Sequence, residues 1–286
     1  MKGSAFPVMK RPDTVTEKWL TIPAYGRKMR LLIVSPREED VSPRPGVLWI
    51  HGGGYLTGMA RMVYMSRAID LVVRGGAVVV SPAYSLSLHR PYPAALNECH
   101  AALVYMKDHA DELGIRPDQI MVGGESAGGG LTAALCMAAK DRQTVNIAFQ
   151  MPLYPMLDCF DTPSSRDNHA KIWNTRRNHI AWKLYLRGIR DKSQIPDYAS
   201  PARRRDYTGL PPCYSFVGDI EPFHDETLAY IEHLRQAGVE AEVDVYKGFY
   251  HAYDMMKPKT EEARKAADVL VCRFLEACKK HTAPQS

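Results

Sequence analysis

The sequence predicts an α/β fold in which a mostly parallel sheet of eight strands carries helices on both faces. Two observations lead to this prediction. Short, continuous apolar runs recur along the chain, and such runs are typical of strands that are buried on both faces. Segments with apolar positions at helical spacing separate most of these runs. This alternation implies parallel strands that are joined by crossover helices.

The strands can be assigned in order along the chain. Residues 14–37 predict two antiparallel strands joined near Tyr25-Gly26, because apolar residues alternate loosely along both halves. Six further strands are predicted at 46–50, 77–80, 119–122, 147–151, 211–217 and 240–246. Together they make the eight strands of the expected sheet.

Helices are predicted between these strands, and one long segment interrupts the alternation. The helices are expected at 59–74, 93–113, 127–140, 225–237 and about 260–280. Between about residues 154 and 207 the polarity is mixed, and Trp173, Trp182 and Tyr185 indicate one or two helices there. We therefore expect a single domain over residues 1–286, with a cap insertion at about 154–207 that lies over the sheet.

The composition is that of a globular protein with enough apolar material for a large core. Of the 286 residues, 45% are hydrophobic. The chain has 37 Lys and Arg residues and 32 Asp and Glu residues, which gives a net charge of +5. The positive excess is spread along the chain, so nucleic acid is not an expected partner. The six cysteines lack the spacing of a metal site, and no metal is expected.

Neither a membrane span nor a leader segment is predicted. No stretch of about twenty uncharged apolar residues is present. Met1 to Asp13 lacks the apolar segment of a signal peptide. We therefore expect a cytoplasmic protein without a membrane partner.

The first candidate for chemistry is Ser126, at the centre of a GxSxG motif in the stretch GGESAGGG. A predicted strand precedes the motif and a predicted helix follows it, which is the context of a nucleophile elbow. Gly124 and Gly128 leave room for close packing around the sharp turn that such an elbow requires. The N-terminus of the following helix favours the negative charge that develops on a reacting serine.

A second motif, HGGGY at residues 51–55, directly follows a buried strand. Acyl transfer needs hydrogen-bond donors aimed at the oxyanion of the tetrahedral intermediate, and glycines let backbone N–H groups turn inward. The candidate donors are the N–H groups of Gly53 and Gly54, with that of Ala127 as a third. His51 is expected to brace this loop by hydrogen bonds and to take no part in proton transfer.

A reactive serine needs a base and an orienting carboxylate, and in the nucleophile-elbow arrangement these follow the serine in the order acid, then histidine. His251 lies in the loop after the predicted strand 240–246 and is the candidate base. The stretch 218–226 offers four carboxylates for the acid, and Glu221 is favoured because it projects from the loop before Pro222. Three alternatives remain open: Asp219, Asp225 and Glu226.

Taken together, these motifs resemble the hormone-sensitive-lipase-like branch of the α/β-hydrolase fold, in its bacterial acetyl-esterase type. The resemblance extends over nearly the whole chain from about residue 44. The matching stretches are HGGGY at 51–55, PYPAALNE at 91–98, GESAGGGL at 124–131, LYPMLD at 153–158, TPSSRDN at 162–168, YASPARRRDYTGLPP at 198–212, GDIEPFHDE at 218–226 and GFYHAYD at 248–254. Two departures are Glu221, where the family usually has Asp, and residues 85–90, where many relatives carry an Ala-Pro-Glu-His sequence.

The resemblance implies a serine carboxylesterase that hydrolyses small, short-acyl esters, acetyl esters among them, through an acyl-enzyme. In it Ser126 is the nucleophile, His251 the general base and Glu221 the acid, and neither metal nor organic cofactor is needed. Tyr55 and Trp173 are expected to form walls of the substrate pocket. A serine peptidase and a small-molecule receptor on the same fold are the alternative functions, and a homodimer is left open.

Overall fold

A computed structural model describes residues 9–37 and 42–285 and contains one eight-stranded sheet. The strands are β1 (Val15–Ala24), β2 (Arg27–Pro36), β3 (Arg44–Ile50), β4 (Val78–Pro82), β5 (Ile115–Glu125), β6 (Phe149–Leu153), β7 (Cys213–Gly218) and β8 (Ala241–Tyr246). Their order in the sheet is β1-β2-β4-β3-β5-β6-β7-β8. β2 is antiparallel to both β1 and β4, and the other neighbouring pairs are parallel. The predicted mostly parallel sheet is confirmed.

Nine α-helices lie in the described part of the chain. They are α1 (Ala68–Val73), α2 (Ala94–Asp108), α3 (Ala110–Leu113), α4 (Ala127–Arg142), α5 (Pro163–Arg166), α6 (Thr175–Tyr185), α7 (His224–Gln236), α8 (Tyr253–Met256) and α9 (Glu261–Lys280). Short 3-10 turns lie at Ala60–Tyr64, Lys192–Gln194 and Pro201–Arg203.

Two of the predicted helices are divided in the structure. The segment expected as one helix over 59–74 is a 3-10 turn followed by α1, and between the two the Ser66 hydroxyl accepts a hydrogen bond from the Ala68 N–H. The segment expected over 93–113 is divided between α2 and α3 at His109, which has a φ of −121°. The apolar spacing predicts the extent of these helical segments and does not report the breaks within them.

The sheet separates two apolar layers. Helices α2, α4 and α7 cover one face, and α1 and α9 cover the other. Successive residues of a strand point to opposite faces, so β3 sends Leu48 into the first layer and Val47 and Trp49 into the second. Burial on both sides explains why the parallel strands are continuous apolar runs.

The chain between β6 and β7 holds α5, α6 and two of the 3-10 turns. Helix α6 begins at Asn174, whose side chain accepts a hydrogen bond from the Arg177 N–H at 3.1 Å. It packs Ala181, Trp182 and Tyr185 against the first apolar layer. The division of the chain into one domain with a cap insertion stays a prediction.

Three strand ends determine where the site lies. β5 ends at Glu125, β7 at Gly218 and β8 at Tyr246, and parallel strands present their carboxyl ends at one edge of a sheet. The loops that follow these strands therefore meet there. In the described residues, no helix is both long and apolar enough to cross a membrane.

Candidate active site

Ser126 lies at the junction of β5 and α4, in a backbone conformation that side chains rarely adopt. Its φ is +58° and its ψ is −120°. The turn is possible because the chain is packed very closely around it. A Cβ atom on Gly128 would lie 1.9 Å from the carbonyl oxygen of Ile50. Backbone strain of this kind is typical of functional positions, where the surrounding structure holds it in place.

The His251 ring joins Ser126 to Glu221. Its Nε2 atom lies 2.9 Å from the Ser126 Oγ, and its Nδ1 atom lies 2.7 Å from Glu221 Oε2. A carboxylate only accepts hydrogen bonds, so Nδ1–H donates to Glu221 and the lone pair of Nε2 faces the serine hydroxyl. All three side chains are buried. Burial raises the pKa of the Glu221 carboxyl, and the nearby His251 opposes this rise.

The four carboxylates of the stretch 218–226 have different partners. Of these four, Glu221 is the one that is hydrogen-bonded to His251. The other three accept backbone N–H groups: Asp219 from Gly248 at 2.7 Å, Asp225 from Ser164 at 2.9 Å and Glu226 from Leu157 at 2.6 Å. These three carboxylates therefore hold loops in place.

The glycine loop lies beside Ser126. Gly53 and Gly54 have φ values of +117° and +60°, and both line the same cavity as Ser126. A Cβ atom on Gly54 would lie 2.2 Å from Cη2 of Trp173. Ala127 is the first residue of α4, so its N–H has no acceptor within the helix. Gly53 and Gly54 thus lie at the same cavity as Ser126, and the role of these backbone N–H groups as oxyanion donors stays a prediction.

His51 braces the glycine loop from below, as the sequence predicted. Its Nδ1–H donates to the carbonyl oxygen of Gly52 at 2.8 Å, and its ring stacks on Tyr84 with centroids 4.2 Å apart. The Tyr84 hydroxyl in turn donates to the carbonyl oxygen of His51 at 2.8 Å. Burial lowers the pKa of His51 to about 4, so the ring is neutral at neutral pH.

A cavity of about 450 Å³ opens at Ser126 and His251. Thioether side chains make up much of its wall: Met9, Met59, Met62, Met65, Met255 and Met256. Of the 13 methionines in the chain, several lie close together at 59–65 and 255–256, and this grouping is the signal in the sequence that could have predicted the wall. Methionine is flexible and polarisable, so this wall can adapt to apolar groups of different shape.

The two residues expected as pocket walls have different positions. Trp173 does line the cavity, and its ring centroid lies 6.1 Å from that of His251. Tyr55 does not, and this expectation needs correction. Its side chain is only 1% exposed, stacks on Tyr185 at 3.9 Å and donates to the carbonyl oxygen of Met156 at 3.2 Å. With a φ of +62°, Tyr55 turns into the core below α6.

Sequence reasoning also missed a buried charged cluster next to the site. It consists of Arg67, Glu125 and Asp254, which we call the Arg67 cluster. Burial raises the pKa of Glu125 to about 7. The sequence gives no sign of this cluster, because only the fold brings positions 67, 125 and 254 together.

The described residues contain no group of three or more His, Cys, Asp or Glu side chains arranged to hold a metal ion. At the cavity, hydrogen bonds instead connect a serine, a histidine and a carboxylate, which are Ser126, His251 and Glu221. Such an arrangement is suited to nucleophilic acyl transfer.

A sequence profile described as an alpha/beta hydrolase fold matches residues 47–255. The chain belongs to this family. This α/β hydrolase is 34% identical over 215 residues to Carboxylesterase NlhH of Mycobacterium tuberculosis, in a match that covers 73% of this chain and 66% of NlhH. It is 32% identical over 220 residues to Esterase LipI of the same organism, covering 76% of this chain and 68% of LipI. The match thus spans about two thirds of the length of these relatives.

Solved structures give the same family. Bacterial Heroin Esterase superposes with a TM-score of 0.88 at 32% identity, over 93% of this chain and 85% of that one. A thermostable esterase from Pseudomonas putida ECU1011 superposes with a TM-score of 0.85 at 30% identity, over 93% and 84% of the two chains. The family expected from the motifs is confirmed.

Proposed function

We propose that this α/β hydrolase is a serine carboxylesterase in which Ser126, His251 and Glu221 are the catalytic triad. The observation that carries the proposal is the unbroken line of hydrogen bonds from Glu221 through His251 to Ser126, at the wall of a cavity. The esterase names of the related proteins support the same reaction class.

The geometry is suited to a two-step reaction. His251 Nε2 takes the proton of the Ser126 hydroxyl while Oγ bonds to the ester carbonyl carbon, and Glu221 stabilises the imidazolium that forms. The proton then goes to the oxygen of the leaving alcohol, and an acyl group remains on Ser126. In the second step His251 takes a proton from water, whose oxygen bonds to the acyl carbon. The bond between Ser126 Oγ and that carbon then breaks, His251 returns the proton to Oγ, and the carboxylic acid is released.

The charge on the tetrahedral intermediate needs donors that are already in place. We assign this role to the N–H groups of Gly53, Gly54 and Ala127. The positive end of the α4 helix dipole adds to them, because the helix begins directly after the nucleophile. Each such donor typically contributes about 10² to 10³ in turnover.

The substrates we propose are small esters with a short acyl group, such as acetyl. A cavity of about 450 Å³ is in the lower part of the range for small-molecule sites. Trp173 lies over the glycine loop and limits the room beside Ser126. We assign the segment 154–207, which supplies Trp173, to a cap over the site.

The test uses p-nitrophenyl acetate and a fluorophosphonate probe. The parent protein should hydrolyse the ester and be labelled at Ser126, because a fluorophosphonate reacts with an activated serine. The Ser126→Ala variant should lose about 10⁶-fold in kcat and all labelling. Ser193→Ala, an exposed hydroxyl in the segment between β6 and β7, is the matched control. A folded parent that neither hydrolyses nor labels would contradict the proposal and favour a binding protein on this fold.

A further inference from the structure

The Arg67 cluster is buried next to the two reacting side chains. Arg67 is 7% exposed, Glu125 2% and Asp254 0%. Glu125 directly precedes Ser126 in the chain, and Asp254 follows His251 by three residues. The cluster therefore contacts both segments that carry the proposed reaction, although none of its members belongs to the triad.

Arg67 is the residue that joins these two segments. Its backbone N–H donates to Glu125 Oε1 at 3.2 Å, and its Nε lies 3.2 Å from Asp254 Oδ2. A third carboxylate, Asp70, lies 3.1 Å from one of its terminal nitrogens. Glu125 is held on its other oxygen by the Trp49 indole N–H at 2.8 Å. The end of β5 and the start of α8 are thus linked through one residue, by its backbone N–H on one side and its guanidinium on the other.

The position of His251 needs such a link. Helix α8 has only four residues, and Ala252, between His251 and the helix, has a φ of +57°. A helix of one turn has little stability of its own, because its few hydrogen bonds do not offset the cost of starting a helix. Tertiary contacts must therefore hold it in place. The ion pair of Asp254 with Arg67 is a tertiary contact of this kind, and it is buried on both sides.

A buried ion pair is a weak source of stability. Removing two charges from water is costly, and apolar side chains of the same volume often give equal or greater stability. The location of this pair between nucleophile and base therefore points to a role in geometry.

We propose that Arg67 is a positioning residue that, through Asp254, holds α8 and His251 at hydrogen-bond distance from Ser126. This inference rests on the proposed function of Ser126 and His251. The physical reason is that a displacement of about 1 Å at a reacting group can lower the rate by about 10². Loss of the pair should therefore lower kcat, with a much smaller change in KM.

The main variant is Arg67→Met, which keeps an unbranched apolar stem of similar volume to that of arginine and removes the guanidinium. We expect kcat on p-nitrophenyl acetate and the fluorophosphonate labelling rate to fall about 100-fold, with KM changed by less than about threefold. Arg67→Lys should recover part of both rates, because it restores a charge for Asp254. A role in stability alone would lower the melting temperature and leave kcat of the folded fraction unchanged.

The matched control is Arg74→Met. Arg74 caps the other end of α1 and pairs with Asp268 at 2.8 Å, but this pair is exposed to solvent. An exposed pair contributes little to stability, and Arg74 lies at the opposite end of α1 from Arg67. Its loss should leave kcat and the labelling rate within about twofold of the parent.

Asp254→Asn is a second variant that tests the same ion pair if Arg67→Met does not fold. It keeps the shape of the side chain, removes its charge and leaves Arg67 paired with Asp70. We expect a loss of about tenfold in kcat, again with little change in KM. A folded Arg67→Met or Asp254→Asn protein with parental kcat and labelling rate overturns the inference. If the parent itself neither hydrolyses nor labels, the proposed function fails instead, so the two failures are distinguishable.

Discussion

The carboxyl edge of the sheet and the segment between β6 and β7 are built in different ways. At the edge, Ser126, Glu221 and His251 are each at most 6% exposed and are connected by hydrogen bonds. In the segment, apolar side chains such as Phe160 and Ile180 are 43% and 44% exposed. The reacting side chains at the edge are therefore buried and hydrogen-bonded, whereas the segment also carries apolar side chains that are exposed to solvent.

The two regions also differ in what determines their backbone. At the edge, glycines are required because a Cβ atom on Gly128 or Gly54 would collide with Ile50 or Trp173. In the segment, single side-chain hydrogen bonds, such as that of Asn174, begin the helix. Substitutions at the edge should therefore change the rate, and substitutions in the segment should change stability or KM.

The largest effect within this contrast is expected for Glu221→Gln. The amide cannot carry the negative charge that stabilises the imidazolium, and it favours the wrong tautomer of His251, so kcat should fall by about 10⁴. The measurement is p-nitrophenyl acetate hydrolysis by the purified variant.

Asp219→Asn and Asp225→Asn are the matched controls for Glu221→Gln. Both carboxylates accept a hydrogen bond from a backbone N–H, whereas Glu221 accepts one from the His251 ring. Their variants should retain most of the activity. A larger loss for either one than for Glu221→Gln would move the acid role to that residue.

The second prediction concerns the pH dependence of stability, which we expect to depend on His51 at the edge. His51 has a folded pKa of about 4, against 6.5 for the free side chain, because burial disfavours the charged ring. The folded state thus binds fewer protons than the unfolded state, so the contribution of His51 to stability is complete above pH 6.5 and is lost as the pH falls toward 4. This loss amounts to about 3 kcal/mol.

Urea unfolding at pH 7 and pH 4.5 measures this contribution. The free energy of unfolding should fall between the two pH values by roughly 2 to 3 kcal/mol more in the parent than in His51→Gln. His169→Gln, an exposed histidine in the segment between β6 and β7, should retain the parental pH dependence. Equal slopes for the parent and His51→Gln would show that the ring is not held neutral.

The third prediction concerns the close packing of the glycine loop against Trp173. Gly54→Ala places a methyl group 2.2 Å from Cη2 of Trp173, at a φ of +60°. The loop must shift, and its N–H groups then leave the oxyanion position, so we expect about a 100-fold loss in kcat.

The second substitution Trp173→Ala shows whether the Trp173 ring causes this loss. Added to Gly54→Ala, it should restore part of the rate, because it removes the collision and leaves only the backbone strain. Gly188→Ala is the control, since its nearest neighbour would be 3.7 Å away. A parental rate in Gly54→Ala would show that this loop is not part of the oxyanion site.

Much of the edge can be predicted from sequence because its requirements are local. A buried strand, a sharp turn and a glycine at Gly128 all appear within a few consecutive residues. The order of the loops then follows from the topology, since parallel strands end at one edge. The fold class and the loops that form the site could be predicted for this reason.

The remainder depends on contacts between distant residues. The sequence does not distinguish Arg67 from other arginines, because its partner Asp254 is distant in the chain. It also does not show that Tyr55 stacks on Tyr185 and does not line the pocket. The choice of Glu221 among four nearby carboxylates likewise depends on the position of His251, 30 residues away. Pattern and spacing report periodicity, and they do not report tertiary partners.

The smallest effect is expected in the segment between β6 and β7. Asn174→Ala removes the side chain that accepts the Arg177 N–H at the start of α6, and loss of such a cap typically costs about 1 kcal/mol. Thr260→Ala removes the corresponding cap at the start of α9, where the Thr260 hydroxyl accepts the Ala263 N–H at 3.3 Å.

Both cap variants, Asn174→Ala and Thr260→Ala, should lower the free energy of unfolding by about 1 kcal/mol in urea titrations. They should differ in KM. Helix α6 follows directly on Trp173, which lines the cavity, whereas α9 packs on the opposite face of the sheet. Asn174→Ala should therefore raise KM for p-nitrophenyl acetate a few-fold with kcat retained, because the loosened helix end disturbs the cavity wall and leaves the hydrogen bonds of His251 intact. If kcat fell instead, the segment would take part in holding the reacting groups, and the contrast between the two regions would not stand.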